Sequence, residues 1–164
     1  MNMVNDRQLQ SALRRNGLLA VGLLLFSAAW FLPVHRHGCT LPEGFPGGQA
    51  FMTALSLLWE RGESFTLYNA VLSAVSAATN VIVVIVLFAW FSRSNCLIRL
   101  SGWGCLFSLP LNAQWFLSDS HRPDLRIGYF VWWLSFGVLG LAIWCRLRNA
   151  RGSPETRIAP PRST

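Results

Sequence analysis

Residues 64–92 read SFTLYNAVLSAVSAATNVIVVIVLFAWFS, 29 consecutive positions without Asp, Glu, Arg, Lys or His. Crossing the hydrocarbon of a bilayer takes roughly 20 helical residues, so this stretch must tilt or project beyond the apolar layer. Three further charge-free stretches of 19 residues each lie at 16–34, 100–118 and 127–145. A helix at a water-exposed surface repeats charged side chains along one face every three or four residues, and none of these four does. The composition agrees: 52% of residues are apolar and 13% are charged, the latter about half the usual share of a soluble domain.

These observations predict an all-α membrane protein, an antiparallel bundle of four transmembrane helices. The spans are placed at about 16–34, 66–91, 97–118 and 127–145. The rival reading of the first stretch is a secretory signal, because Arg7, Arg14 and Arg15 precede it and Ser27, Ala28 and Ala29 resemble a small-residue cleavage site. The apolar run is long for a signal core, which favours a span.

Positive residues near span ends are retained on the cytoplasmic side. Three Arg precede the first span and five occupy the segment from Arg146 onward, while Glu43, Glu60, Glu63, Asp119 and Asp124 all fall in the first and third loops. Both termini are therefore expected in the cytoplasm, with residues 1–15 as an arm and 147–164 as a disordered basic tail. All fourteen basic residues are Arg and the loops are short, which points to a bacterial inner membrane. The high pI needs no nucleic acid: Arg146, Arg148 and Arg151 lie where anionic lipid headgroups attract basic clusters. Tryptophan favours the interfacial level. Trp30, Trp59, Trp115, Trp132 and Trp133, with Tyr68 and Tyr129, are assigned to an outer belt, and Trp90, Trp103 and Trp144 to an inner one.

The first outer loop contains Pro42, Gly44, Pro46, Gly47 and Gly48, which interrupt regular structure. After it, Gln49, Thr53, Ser56, Glu60 and Glu63 recur at helical spacing with apolar residues between them, predicting a short amphipathic helix at about 49–60 that lies in the interface or on the bundle. Inside the spans, Ala70, Ala74 and Ala78 recur every four residues, a spacing that lets helices approach closely. Asn80 near the centre of the second span must face the bundle interior, since an unpartnered amide in lipid is costly. Asn112 and Gln114 follow Pro110 in the third span, and an Asn69 to Gln114 hydrogen bond is expected from their depth.

Candidates for chemistry are few. His35, His37 and Cys39 alternate in sequence and His121 occupies the other outer loop, a donor set that suits zinc, copper or haem iron. No carboxylate lies close in sequence to orient those imidazoles, and solvated loop residues explain them equally well. Membrane four-helix enzymes that form disulfides need paired outer thiols, and Cys39 is the one cysteine expected outside. No ionisable residue sits deep in a span, which removes the usual means of coupled transport. No nucleophile with a base, phosphate-binding glycine loop or carboxylate pair occurs in a convincing arrangement, so catalysis is not expected and no cofactor is required.

By elimination the leading expectation is an interaction protein, an accessory subunit of a membrane complex or an immunity-type protein, with membrane lipids and a protein partner or further copies of itself as contacts. The alternatives are an oligomeric channel or transporter with a polar path through Asn80, Asn112 and Gln114, and metal or haem binding at the outer His and Cys residues. The topology has a direct check. A reporter that works only in the cytoplasm should be active when fused after Thr164, and one that works only outside should be active when inserted between Ser118 and Arg126. The reverse pattern would invert the assignment.

Overall fold

The computed structural model describes residues 3–35, 44–59, 66–92, 94–117 and 124–152, with backbone alone at 3–9, 11 and 149–152. The chain is mostly helical: α1 (Met3–Ala29), β1 (Pro33–His35), β2 (Phe45–Pro46), α2 (Gly47–Ser56), α3 (Leu67–Ala78), α4 (Asn80–Phe91), α5 (Asn95–Leu117) and α6 (Ile127–Gly152). Three helical segments are long and apolar enough to cross a membrane, Ala12–Ala29, Leu67–Phe91 and Ile127–Arg148. The segment expected as the third span, α5, has the length at 23 residues. Arg99, its serines and glycines, Asn112 and Gln114 make it more polar than the other three.

α6 organises the bundle. One side packs along α1 and another along α5, and α5 in turn packs on α4. Phe136, Leu139, Ala142 and Ile143 are fully buried on α6 and meet Leu19, Val83, Val86, Ile98 and Cys105 from the surrounding helices. The close approach of α1 to α6 depends on Gly22, where an added Cβ would stand 2.7 Å from the Leu139 side chain. Large apolar side chains point outward elsewhere, among them Val81, Val84 and Phe88 on α4 and Phe130, Leu134 and Leu141 on α6. Apolar exposure on this scale marks a surface made for lipid or for another apolar partner.

α3 and α4 form one apolar rod with a local irregularity at Thr79. There the Thr79 hydroxyl donates to the carbonyl of Ser76 at 2.6 Å and the Asn80 amide donates to that of Ala77 at 2.7 Å. Side chains that bond to the preceding turn compete with the regular ladder, and the backbone answers with bonds to the third residue back, Thr79 to Ser76 and Ile82 to Thr79.

At one end of the bundle a small β structure ties the helices together. β1 pairs antiparallel with β2, Pro33 opposite Pro46 and His35 opposite Phe45, and on its other side His35 bridges Leu125. Arg126 donates its backbone N–H to Val34 at 2.9 Å. Gly44 supplies the positive φ, +85°, that turns the chain into β2, a region glycine enters without steric cost.

Several boundaries differ from expectation. The residues assigned to an N-terminal arm continue α1 back to Met3, because the segment 3–15 holds no Gly or Pro to stop a helix. The residues assigned to a disordered tail continue α6 to Gly152, the first breaker after the span, and residues 153–164 lie outside the described residues. α2 begins at Gly47 rather than 49 and ends at Ser56 rather than 60. Gly47 and Gly48 enter the helix since their backbones donate to the carbonyls of Leu32 and Trp30, both at 3.2 Å.

Gly128, at the start of α6, sits against the carbonyls of Pro33 and Leu32, which an added Cβ would approach to 2.7 and 2.8 Å. Gly128→Val should therefore cost about 1–3 kcal/mol, lowering the melting temperature and the yield of monodisperse protein in detergent. Gly17→Ala, at a helical position with nothing within 4 Å of the new methyl, should be neutral or stabilising by up to about 1 kcal/mol.

Candidate functional site

The inner face of α3 is built from small residues: Ala70, Ser73, Ala74, Ser76 and Ala77 are buried, whereas Ala78 is exposed. Of the stripe expected at Ala70, Ala74 and Ala78 with Ser73 and Ala77 beside them, all but Ala78 are buried and Ser76 joins them, as a helix of 3.6 residues per turn drifts away from a strict spacing of four.

Against that face lies Asn112 of α5, fully buried. Its Oδ1 accepts from the Ser76 hydroxyl, and its Nδ2 donates to the carbonyl of Ser108 at 2.8 Å and to Thr79 Oγ1 at 3.4 Å. Ser76 Oγ also accepts from Trp115 Nε1 at 3.3 Å. Tyr129 of α6 donates its hydroxyl to the backbone carbonyl of Asn112, and Trp133 Nε1 donates to that of Leu109 at 2.9 Å. One helical turn beyond Ser76, Asn80 Oδ1 accepts from Trp132 Nε1 at 2.8 Å. Side chains of α3, α4, α5 and α6 are thereby joined in one polar seam through an otherwise apolar bundle.

Of the four amides singled out in the sequence, Asn80 and Asn112 belong to this seam. Asn69 does not: its backbone N–H donates to Thr66 Oγ1 at 3.2 Å, closing the first turn of α3. The expected Asn69 to Gln114 hydrogen bond is not formed, and Gln114 Nε2 is buried without a partner.

Beneath α2 the helices line a half-open cavity of about 620 Å³, inside the range of about 300–1,000 Å³ that holds a drug-sized ligand. α2 and its C-cap roof it with Phe51, Ala54 and Leu57, the end of α1 and the turn after it contribute Ala29 and Trp30, and the wall towards the seam carries Ser76, Asn80, Trp115, Tyr129 and Trp132. Ring contacts run continuously from the roof into the core, from Phe51 to Trp30, Phe26, Phe136, Trp132 and Tyr129, with centroids 5.3 to 6.4 Å apart. The lining is apolar and aromatic with a few polar groups. Asn80 is one of them, since an amide carries two N–H donors and two acceptor sites and only one bond on each side is used.

This corrects the assignment of the outer tryptophans to a lipid belt. Trp30, Trp115 and Trp132 face the cavity, while Trp59, Trp103 and Trp144 are exposed. A Trp at a border satisfies its indole N–H with headgroup or with protein, and the buried hydroxyl of Ser76 and carbonyl of Asn80 offer the protein choice here.

His35 and Asp124 line the same cavity. His37, Cys39 and His121 lie outside the described residues, and among the described residues no three metal-binding side chains come together. Of the arginines assigned to lipid, Arg148 is exposed and the Arg151 side chain is outside the described residues. Arg146 instead turns inward. Its guanidinium donates to the carbonyls of Ala89 at 2.9 Å, Trp90, and Ser92 at 2.8 Å. It caps the C-terminal end of α4, whose last carbonyls have no helical partner.

Replacing Asn112 by Ala removes bonds to Ser76 and Thr79 together. An interhelical hydrogen bond in lipid is worth about 0.6 kcal/mol on average and up to about 1.7, so a loss of about 1–2 kcal/mol is expected in mixed-micelle unfolding, against less than about 0.5 kcal/mol for Asn69→Ala. Comparison of the chain with protein-family models, curated proteins and solved structures finds no match.

Proposed function

We propose that the chain is a four-span protein of the bacterial inner membrane, antiparallel and with both termini in the cytoplasm, that works by binding rather than by catalysis. It holds an apolar, lipid-like ligand in the cavity beneath α2, as an accessory or immunity-type subunit of a membrane complex. The observation that carries this reading is the cavity: a half-open space beneath α2, walled by aromatic rings and furnished with Asn80 as an orienting polar group.

The fourth span is α5. At 1.5 Å per residue its 23 residues extend about 34 Å. Its polar side chains Ser101, Ser108 and Asn112 face inward while Leu100, Trp103, Leu106 and Phe107 face outward. That inverted pattern suits a helix surrounded by lipid. α2 lays Ala50, Phe51, Thr53 and Ala54 over the cavity and keeps Gln49 and Met52 exposed.

A conduction path through Asn80, Asn112 and Gln114 is less well supported. Asn112 directs its amide into bonds between helices, and Asn80 is engaged by Trp132. Metal or haem binding at His35, His37, Cys39 and His121 has support only from the sequence.

The test is purification of the full chain from its native membrane in a mild detergent, followed by organic extraction and mass spectrometry of small molecules and co-purifying chains. A stoichiometric apolar compound is expected in the wild type and is expected to be lost in Ala77→Phe, which fills the cavity from α3, and in Ala54→Phe, which fills it from the roof. Wild-type protein without such a compound, whose melting temperature apolar ligands raise no more than that of the filled variants, would overturn the reading.

A further inference from the structure

At the end of the bundle opposite α2, three helices bring two cations onto one ring. The guanidinium of Arg15 on α1 lies 5.6 Å from the centroid of Trp90 on α4, and that of Arg146 on α6 lies 5.3 Å from the same centroid. Each contact is favourable by itself, since an aromatic face attracts a cation. Together they bring two like charges onto one ring.

The two arginines are not equally provided for. Arg146 has the three carbonyls that end α4, a position where the helix dipole favours positive charge. Arg15 has no hydrogen-bond acceptor among the described residues, and its Nε is buried without a partner. Among the described side chains there is no counterion nearby: Asp124, the one carboxylate among them, precedes the first turn of α6. At 1.5 Å per residue Arg146 stands about 29 Å further along that helix from Ile127.

We propose that Arg15 and Arg146, gathered on Trp90, form a binding site for the phosphate of an anionic phospholipid. Arg15 offers its unused N–H donors, and Arg146 retains Nε and one N–H of the group that donates to Ser92. A guanidinium matches phosphate oxygens in pairs and is less strongly hydrated than an ammonium, so it suits a site at the edge of hydrocarbon. The phosphate supplies the missing negative charge between two cations. The source is a lipid rather than a free ion because the same helices carry exposed apolar side chains, Leu13, Val21 and Leu24 on α1 and Leu141 and Trp144 on α6, against which acyl chains lie. Arg14, Arg99 and Arg148 are exposed and add attraction without contributing to the pocket.

The experiment titrates purified full-length protein in neutral detergent, at constant ionic strength, with short-chain phosphatidylglycerol, short-chain phosphatidylcholine and inorganic phosphate in separate series. Melting temperature and native mass spectrometry are the readouts. Phosphatidylglycerol is expected to raise the melting temperature and to appear as one retained adduct. Arg15→Gln should weaken its apparent affinity roughly tenfold or more, the scale of a lost hydrogen bond to a charged group. Arg14→Gln removes the same charge from an exposed neighbour and should leave the adduct intact. Because Arg146 also caps α4, its substitution is expected to unfold the bundle, and the Arg15 and Arg14 pair carries the test. Equal losses in the two variants, or equal binding of phosphatidylcholine, would overturn the site. Stabilisation by inorganic phosphate as strong as that by the lipid would overturn the lipid assignment.

Discussion

The amide of Asn112 is the constraint around which the bundle is arranged. In hydrocarbon no water is at hand to satisfy a polar group, so a buried Asn must find every partner within the protein. Asn112 does so from the backbone of its own helix, from Ser76 and Thr79 on the α3–α4 rod, and its carbonyl is in turn used by Tyr129 of α6. A helix rotated by one position would leave these groups without partners. Apolar packing between Leu, Val and Ile tolerates sliding and rotation far better, because lipid tails compete for the same contacts on nearly equal terms.

The seam also explains why the rod formed by α3 and α4 is irregular at Thr79. Its hydroxyl both receives the Asn112 amide and donates to its own backbone, and Asn80 next to it turns to Trp132. Two consecutive side chains bend back to carbonyls one turn earlier, and the helical ladder yields locally. The cavity lies directly against this irregular turn, so the elements that set helix rotation also form the polar wall of the space beneath α2.

Much of this was legible in the sequence, for a physical reason. Three of the four charge-free runs coincide with helices long and apolar enough to cross a membrane among the described residues. The need to place Asn80 inside follows from solvation alone. What periodicity does not reveal is azimuth. Trp115 and Trp132 sit at a depth suited to lipid, yet their indoles turn inward to Ser76 and Asn80. Arg146 stands out in the sequence only as a basic residue beside a span; that its guanidinium also reaches the carbonyls at the end of α4 appears only once the helices are brought together. The short pairing of β1 with β2, only two registered residue pairs, is too brief to leave a pattern in the chain.

The largest partner of α1 is α6, the helix most distant from it in the chain. Ala29 closes α1 and Ile127 opens α6, so at about 5–20 residues per second a ribosome takes roughly 5 to 20 s to cover the interval. For that time the Gly22 groove lacks Leu139, the side chain that fills it in the finished protein. α1 is made well before the helix that covers it, and completion of α6 is the event that closes the bundle around it.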